Sequence, residues 1–363
     1  MRVTQSMLSQ NMMNNIQKNN SEMQKYMEQL STGKKINRPS DDPVVAMKGV
    51  DYRSELSKVE QFERNMSEVN TWMDSSDEAM NEAGQALTRV RELVIQASND
   101  TYEENQRGNM ASEVEEIKNH LRDIANTQVN NKYIFNGTNT DNARFNEDGF
   151  VEAHNDNGEL VPVINNSDDV LNEIDGQNGD LADLNIDDPN IERSVNQMMN
   201  HDNLDITTVA EAEDYMNNNM PAPNNNAVNI EVSDGVDLKA NTNPSNAFSA
   251  DMFDELNNIV NKLTQDDPPL NGDDFDEHLS TLDQFSQDLV NERADLGARM
   301  NRAELIETRL SQQEVTTTDL MTQNEDADLT EVITNLRMQE NVHRASLSAG
   351  SRIIQPTLMD FLR

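Results

Sequence analysis

The feature that most constrains this chain is a coiled-coil stripe inside long proline-free sequence, with helical sequence at both ends of the chain. From Val59 the apolar positions step by 3 and 4 through Phe62, Met66, Val69, Met73, Ser76, Met80, Ala83, Leu87, Val90, Val94 and Ala97, with Ser76 the one polar exception. Such a stripe winds one helix against another. No proline occurs from residue 44 to 161, and none from 270 to 355, so long helices are permitted near both termini. The expected fold class is mainly α: a long antiparallel helical coiled-coil rod made from both chain ends, with a smaller β-rich acidic head inserted in the middle.

Composition agrees with a thin bundle. Of 363 residues, 35% are hydrophobic and 4% aromatic, too few for one large globular core, whereas helices in a narrow bundle need less. The 28 Lys and Arg against 67 Asp and Glu give a formal charge of -39. That charge repels phosphate backbones and anionic lipid, so no nucleic-acid partner is expected. The same acidity can keep surfaces hydrated in high salt or alkaline medium. With no cysteine, disulfides, thiolate metal sites and cysteine nucleophiles are excluded together. The opening MRVTQSMLSQNMMNNI lacks a continuous apolar core and a small-residue cleavage site, and no apolar run nears the roughly 18 residues that span a bilayer. The expectation is a soluble protein with no membrane insertion, which leaves the cell, if it does, without a general secretory signal.

Residues 4 to 32 read as a first helix with Leu8, Met12, Ile16, Met23, Tyr26 and Leu30 on one face, Asn19 at an intervening core position and Gly33 as its C-terminal cap. Ser40-Asp41-Asp42-Pro43 starts a second helix that runs to about Ser98, roughly 80 to 90 Å. Thr101 and Glu104 have capping-box spacing, and Met110, Val114, Ile117, Leu121 and Ile124 define a third helix that folds back. A short strand is expected at Lys132 to Phe135. Residues 141 to 245 hold 23 acidic residues, three basic ones and 22 Asn. Alternating runs at Val151 to Ala153, Leu160 to Ile164 and Val228 to Val232, with turns at Asn155 to Gly158 and Asp234-Gly235, form a hairpin pattern there. The Met198-Met199 and Asn217 to Asn219 stretches fit either short helices or loops. A helix is expected from Ala247 to Leu263, then a long one marked by Leu282, Phe285, Leu289, Leu296, Met300, Ala303, Ile306 and Leu310. Asp326-Ala327-Asp328 breaks it, after which Ile333, Leu347, Ile354 and Phe361 fall at multiples of seven. The expected domains are 1–42 with 329–363 as an inner assembly core, 43–140 with 246–328 as the rod, and 141–245 as the head.

No catalytic constellation stands out. The five histidines, His120, His154, His201, His278 and His343, have no histidine partner four residues on, so no helical metal face arises. Gly33-Lys34-Lys35 lacks the upstream glycine, the following Ser/Thr and the strand of a phosphate loop. The acidic run Asp175 to Asp188 misses the spacing of a calcium loop and reads as solvated surface. No enzyme activity, cofactor or metal is expected. The methionines of the first helix, Met7, Met12, Met13, Met23 and Met27, form an adaptable face on a helix too poor in apolar surface to stand alone, so it folds against a partner helix.

Several motifs carry a resemblance to a known family: LSTGKKINRPSDDPVVAMKG (Leu30 to Gly49), ASNDTYEENQR (Ala97 to Arg107), NKYIFNGTNT (Asn131 to Thr140), LGARMNR (Leu296 to Arg302), DADLTEVITNL (Asp326 to Leu336) and IIQPTLMDFL (Ile353 to Leu362). With these the chain resembles the flagellin superfamily over both helical ends, and the YIFNGT and TLMDFL segments favour a subunit between hook and filament over the filament subunit itself. The resemblance implies a non-enzymatic axial protein of the extracellular bacterial flagellum, exported unfolded through the type III export apparatus with an export chaperone. It implies a ring of identical subunits between the preceding hook-associated protein and flagellin, with the terminal helices as inner wall. Carried onto this chain, the assembly interface is Leu8, Met12, Ile16, Met23, Leu30, Ile333, Leu347, Ile354, Leu358 and Phe361. The alternatives are the flagellin filament subunit and, from another class, a secreted coiled-coil adhesin with an acidic binding head.

Overall fold

The computed structural model describes residues 5–98, 104–146, 150–155, 159–164, 167–174, 180–184, 186, 189–201, 203–204, 206–264 and 275–354. The chain divides into two compact units, Met1–Gln61 with Thr308–Arg363, and Phe62–Glu307.

Within the second unit, residues 62–97 of the helix α2 (Pro43–Ala97) and residues 276–307 of the helix α9 (Asp276–Glu325) lie antiparallel. Arg91 grips Asp283 through Nε and Nη2 at 2.6 and 3.3 Å, Arg293 grips Asp77 at 3.0 and 3.2 Å, and Asn70 donates to Glu307 at 3.2 Å. The seam between these pairs is the predicted stripe: Met66, Val69, Met73, Ser76, Met80, Ala83, Leu87, Val90, Val94 and Ala97 are all buried, as are Leu282, Leu289, Leu296, Ala303 and Ile306 opposite. Phe62, at the edge of the unit, is only half-buried. Ser76 is tolerated in the seam because its hydroxyl donates to the Trp72 carbonyl one turn back, at 2.9 Å, which satisfies a buried polar group locally.

The helix α3 (Glu104–Ala125) packs against α8 (Ala250–Thr264), burying Met110, Val114, Leu121 and Ile124. Thr101, half of the expected capping box, lies outside the described residues. A hairpin of β1 (Gln128–Val129) and β2 (Lys132–Tyr133) follows, with Asn130 and Asn131 as its two-residue loop at φ 51° and 63°. Two consecutive left-handed residues define the type I′ turn, which matches strand twist. The expected strand through Phe135 therefore stops at Tyr133. Ile134 and Phe135 turn inward instead, and Phe135 meets Phe248 edge-on with ring centres 4.8 Å apart.

A separate backbone requirement explains the glycine of the FNGT segment. Gly137 has φ 55°, and a Cβ there would lie 2.5 Å from the Asn224 carbonyl oxygen. Gly137→Ala is expected to cost about 2 kcal/mol or more, from the left-handed backbone and the clash together. A lowered urea midpoint with unchanged helical circular dichroism would report it, and an unaltered midpoint would refute it.

Between these elements the chain makes a second small core. β3 (Val151–His154) pairs antiparallel with β4 (Leu160–Val163), Val151 opposite Val163, as the alternation predicts. The helices α4 (Ser167–Ile174), α5 (Pro189–Asn200) and α6 (Val209–Asp214) cover the hairpin, and α6 runs on into a π-helical turn, Tyr215–Asn219. Met198 is thus helical and Asn217 to Asn219 form the turn, which settles the two stretches left open by the sequence. Phe150, Ile164, Val170, Ile174, Val195, Met198 and Tyr215 form this core. Arg193 of α5 ties it to α8 through Asp254 at 2.6 Å. The acidic run Asp175 to Asp188 falls largely outside the described residues.

A further hairpin, β5 (Asn229–Ser233) and β6 (Val236–Lys239), turns at Gly235 with φ 68°. Asn65 of α2 donates to its Glu231 carbonyl at 2.7 Å. The short α7 (Pro244–Ala247) then leads to α8, which starts three residues later than the sequence suggested because Phe248 leaves helical geometry.

Candidate assembly interface

In the first unit the helix α1 (Gln5–Thr32) pairs antiparallel with α10 (Leu329–Ile354). Gly33 ends α1 as expected: at φ 70° its N-H donates to the Gln29 carbonyl at 2.9 Å. Asp42 caps α2 by accepting from the Val44 and Val45 N-H groups at 3.0 and 3.1 Å, with Pro43 in the first turn. Asp328 caps α10 in the same way through Thr330 and Glu331.

On α1 the half-buried positions Met12, Ile16, Asn19, Met23 and Tyr26 keep the heptad step of 4 and 3. On α10 the covered positions Val332, Leu336, Gln339, His343, Ser346 and Gly350 again keep that step, with Asn335 and Glu340 half-buried beside them. The seam between them is thin and polar at its centre. Gln339 donates to Asn19 Oδ1 at 3.1 Å, and Asn19 donates to Ser346 Oγ at 3.4 Å. A polar layer in a coiled-coil seam fixes register and lowers stability. At Gly350 the helices approach closely, since a Cβ would lie 2.9 Å from the Met12 methyl carbon.

The predicted interface residues therefore separate into two groups. Met12, Ile16 and Met23 share the face that meets α10 within the chain. Leu30, Ile333 and Leu347 are 39%, 39% and 50% exposed. Ile333 and Leu347 sit one residue beyond the covered Val332 and Ser346, about 100° around the helix. The heptad spacing of Ile333 and Leu347 identified an apolar stripe, and this stripe faces outward while the intrachain seam combines Val332 and Leu336 with polar Gln339, His343 and Ser346. Leu8 and Ile354 lie in α1 and α10, and Leu358 and Phe361 lie outside the described residues. Also exposed are Met13 and Met27, which the sequence reading placed on the adaptable methionine face, and Leu329, Met338 and Val342, which it did not name. Met13, Met27, Met338 and Val342 each lie beside a covered heptad position, and a second apolar flank next to the seam was the signal for them.

At one end of this pair sits a cluster of charge. The Glu325 carboxylate, 4% exposed, accepts from Lys34 Nζ at 3.0 Å and from Arg53 Nε and Nη2 at 3.1 and 2.5 Å. Burial pushes the Glu325 carboxyl up, but hydrogen bonds and charge from Lys34 and Arg53 outweigh it and hold the group below the usual glutamate value. Reciprocally, the hydrogen bond to Glu325 raises the Lys34 ammonium above its ordinary value. The Gly33-Lys34-Lys35 sequence is thus a helix cap followed by an ion pair, and no phosphate site is built on it.

Elsewhere three histidines each face one glutamate. His278 meets Glu255 at 2.7 Å, His120 meets Glu82 at 3.0 Å and His201 meets Glu152 at 3.4 Å. Among the described residues no group of three or more His, Asp or Glu could hold a metal ion, and no helix is long and apolar enough to cross a membrane.

Terminal helical regions of this kind, one from each end of the chain, define a class of proteins. Residues 3–140 match the bacterial flagellin N-terminal helical region and residues 279–362 the bacterial flagellin C-terminal helical region. These regions together make up more than half of the chain, which belongs to the flagellin family. Flagellar hook-associated protein 3 of Escherichia coli strain K12 is 30% identical over 149 residues, 41% of this chain and 47% of that protein. The protein of the same name in Salmonella typhimurium is 28% identical over 148 residues, 40% of this chain and 47% of that one. Flagellin of Bacillus subtilis strain 168 is 30% identical over 141 residues, 38% of this chain and 46% of that one. The chain thus spans about half the length of the curated relatives it matches.

Two solved structures share the fold. A putative flagellar hook-associated protein from Vibrio parahaemolyticus matches with a TM-score of 0.53 at 14% identity, over 79% of this chain and 100% of that one. Flagellar hook-associated protein 3 from Legionella pneumophila matches with a TM-score of 0.50 at 12% identity, over 75% and 97%.

Proposed function

We propose that this chain is a structural subunit of the bacterial flagellum that joins the hook, through the preceding hook-associated protein, to the flagellin filament. The observation that carries the reading is the similarity of its sequence to flagellar hook-associated protein 3 from two organisms. The chemistry of the chain supports it: an apolar outward stripe on α10 and a weak polar seam are the properties of a surface that gains stability on assembly. In this reading copies of the chain contact one another and flagellin through Leu8, Met12, Ile16, Met23, Leu30, Ile333, Leu347, Ile354, Leu358 and Phe361. Export through the flagellar type III apparatus, with a chaperone in the cytoplasm, belongs to the same proposal.

The second reading, a flagellin filament subunit, is favoured by the similarity to flagellin at comparable identity. Deleting the gene separates the two. Bare hooks in electron micrographs together with abundant unassembled flagellin in the culture supernatant are expected of a junction subunit. Bare hooks with no major flagellin band would make this chain the filament protein, and normal filaments would remove it from the axial structure.

A further inference from the structure

A cavity of about 280 Å³ opens where the end of β3 meets the π-helical turn that follows α6. His154 from the strand and Asn218 and Asn219 from the turn line it, together with apolar Leu204, Met220 and Pro221. The cavity lies wholly within the Phe62–Glu307 unit, and the Tyr215 hydroxyl beside it is already committed, donating to the Pro162 carbonyl.

The π turn is what brings two side-chain amides to this cavity. The Met220 N-H reaches back five residues to the Tyr215 carbonyl at 2.7 Å, one residue further than an α-helical bond. Wide turns of this kind are rare and are frequent at functional sites. The extra residue lets Asn218 and Asn219 both donate through Nδ2 to the Asp214 carboxylate, at 2.9 and 2.7 Å. Their Oδ1 oxygens are left with no donor among the described residues. Met220 is held from the other side, since its sulfur accepts from the Ile164 N-H at 3.1 Å. His154 Nδ1 faces the Asn139 amide nitrogen at 3.3 Å, which makes Nδ1 the acceptor and puts the proton of the neutral ring on Nε2.

The lining chemistry selects the ligand. No Asp, Glu, Lys or Arg lines the cavity, in a chain with 67 acidic residues. An anion finds no cation there, and a metal ion finds no carboxylate. A wholly apolar ligand would strand the Asn218 and Asn219 oxygens and the His154 N-H. What fits is a neutral molecule whose hydroxyls both donate and accept, on a ring with an apolar C-H face for Leu204, Met220 and Pro221. The volume suits one such ring and is too small for an extended chain. We infer that this cavity binds a single neutral sugar ring, with Asn218 and Asn219 accepting from its hydroxyls and His154 donating to one. The inference stands whether or not the chain joins hook to filament.

Methionine-methyl NMR of the full chain tests it, with the methyl α-glycosides of glucose, mannose and galactose and with N-acetylglucosamine as probes. At least one of them should shift the Met220 methyl signal saturably, with half-saturation at about 1 to 10 mM. Met66, Met73 and Met80, buried in the α2 seam, should stay fixed. His154→Ala and Asn219→Ala, both at exposed positions, should each weaken that binding by about fivefold or more and leave the seam signals in place. The proposal is overturned if no sugar moves the Met220 signal, or if acetamide or sodium acetate at equal concentration moves it as far. Sugar binding by either variant at the strength of the parent chain would overturn it as well.

Discussion

Replacing Arg299 by methionine is expected to cost about 3 to 5 kcal/mol of stability in the Phe62–Glu307 unit, the largest loss of any single change considered. Arg299 lies in the LGARMNR segment of α9 with its side chain 12% exposed. Its Nη1 donates to the Asn241 and Lys239 carbonyls at 2.6 and 3.1 Å, and its Nε to Asp295 at 3.0 Å. The guanidinium stands 3.8 Å from Glu292, itself 7% exposed, which accepts from the Asn243 N-H at 2.6 Å. Methionine keeps most of the packing volume and removes every donor. Two carbonyls and a buried carboxylate are left without their cation, and unpaired buried groups cost more than a made bond gains. At about 2 to 4 °C per kcal/mol for a unit of this size, the unfolding midpoint should fall by roughly 6 to 20 °C. Adding Glu292→Gln should return about 1 to 2 kcal/mol, because it removes the stranded charge. A single-variant loss below about 1 kcal/mol would mean that solvent reaches the site and the network is not buried in effect.

That network also shows what a linear sequence carries and what it does not. The stripe from Met66 to Ala97 was legible because helix periodicity and burial coincide when one partner covers one face. The caps at Gly33 and in the Ser40 to Asp42 stretch were legible because each depends on a few adjacent residues, as was the break at Asp326 to Asp328. The outward turn of Ile333 and Leu347 was not, since heptad spacing fixes a stripe but not which stripe the chain's own partner takes. The helices α4 to α6 were not assigned, and Met198-Met199 was left open between helix and loop, for another reason. They span 8, 12 and 6 residues in an Asp- and Asn-rich stretch, too short for periodicity to rise above composition, and they hold only because they share one core with β3 and β4. Glu325 is far in sequence from Lys34 and Arg53, and nothing local to any of them announces their ion pairing.

The double substitution Ile333→Asp with Leu347→Asp should leave the free chain intact and abolish its assembly. Both side chains stand 39% and 50% exposed on α10, so the change in unfolding midpoint should correspond to about 0.5 kcal/mol or less per site. At an interface the same positions would each lose about 1.5 to 3 kcal/mol of apolar burial and place an unpaired carboxylate where water is excluded. The chain's formal charge of -39 makes each added negative charge worse, because copies already repel. Cells carrying the variant should export it and export flagellin, yet show hooks without filaments. Detection of the variant in the culture supernatant separates failed assembly from failed export. Normal filaments in such cells would assign the outward stripe of α10 to solvent. The contacts between copies would then fall to the other residues of the proposed interface, of which Met12, Ile16 and Met23 can reach a neighbour only after the α1 to α10 seam has opened.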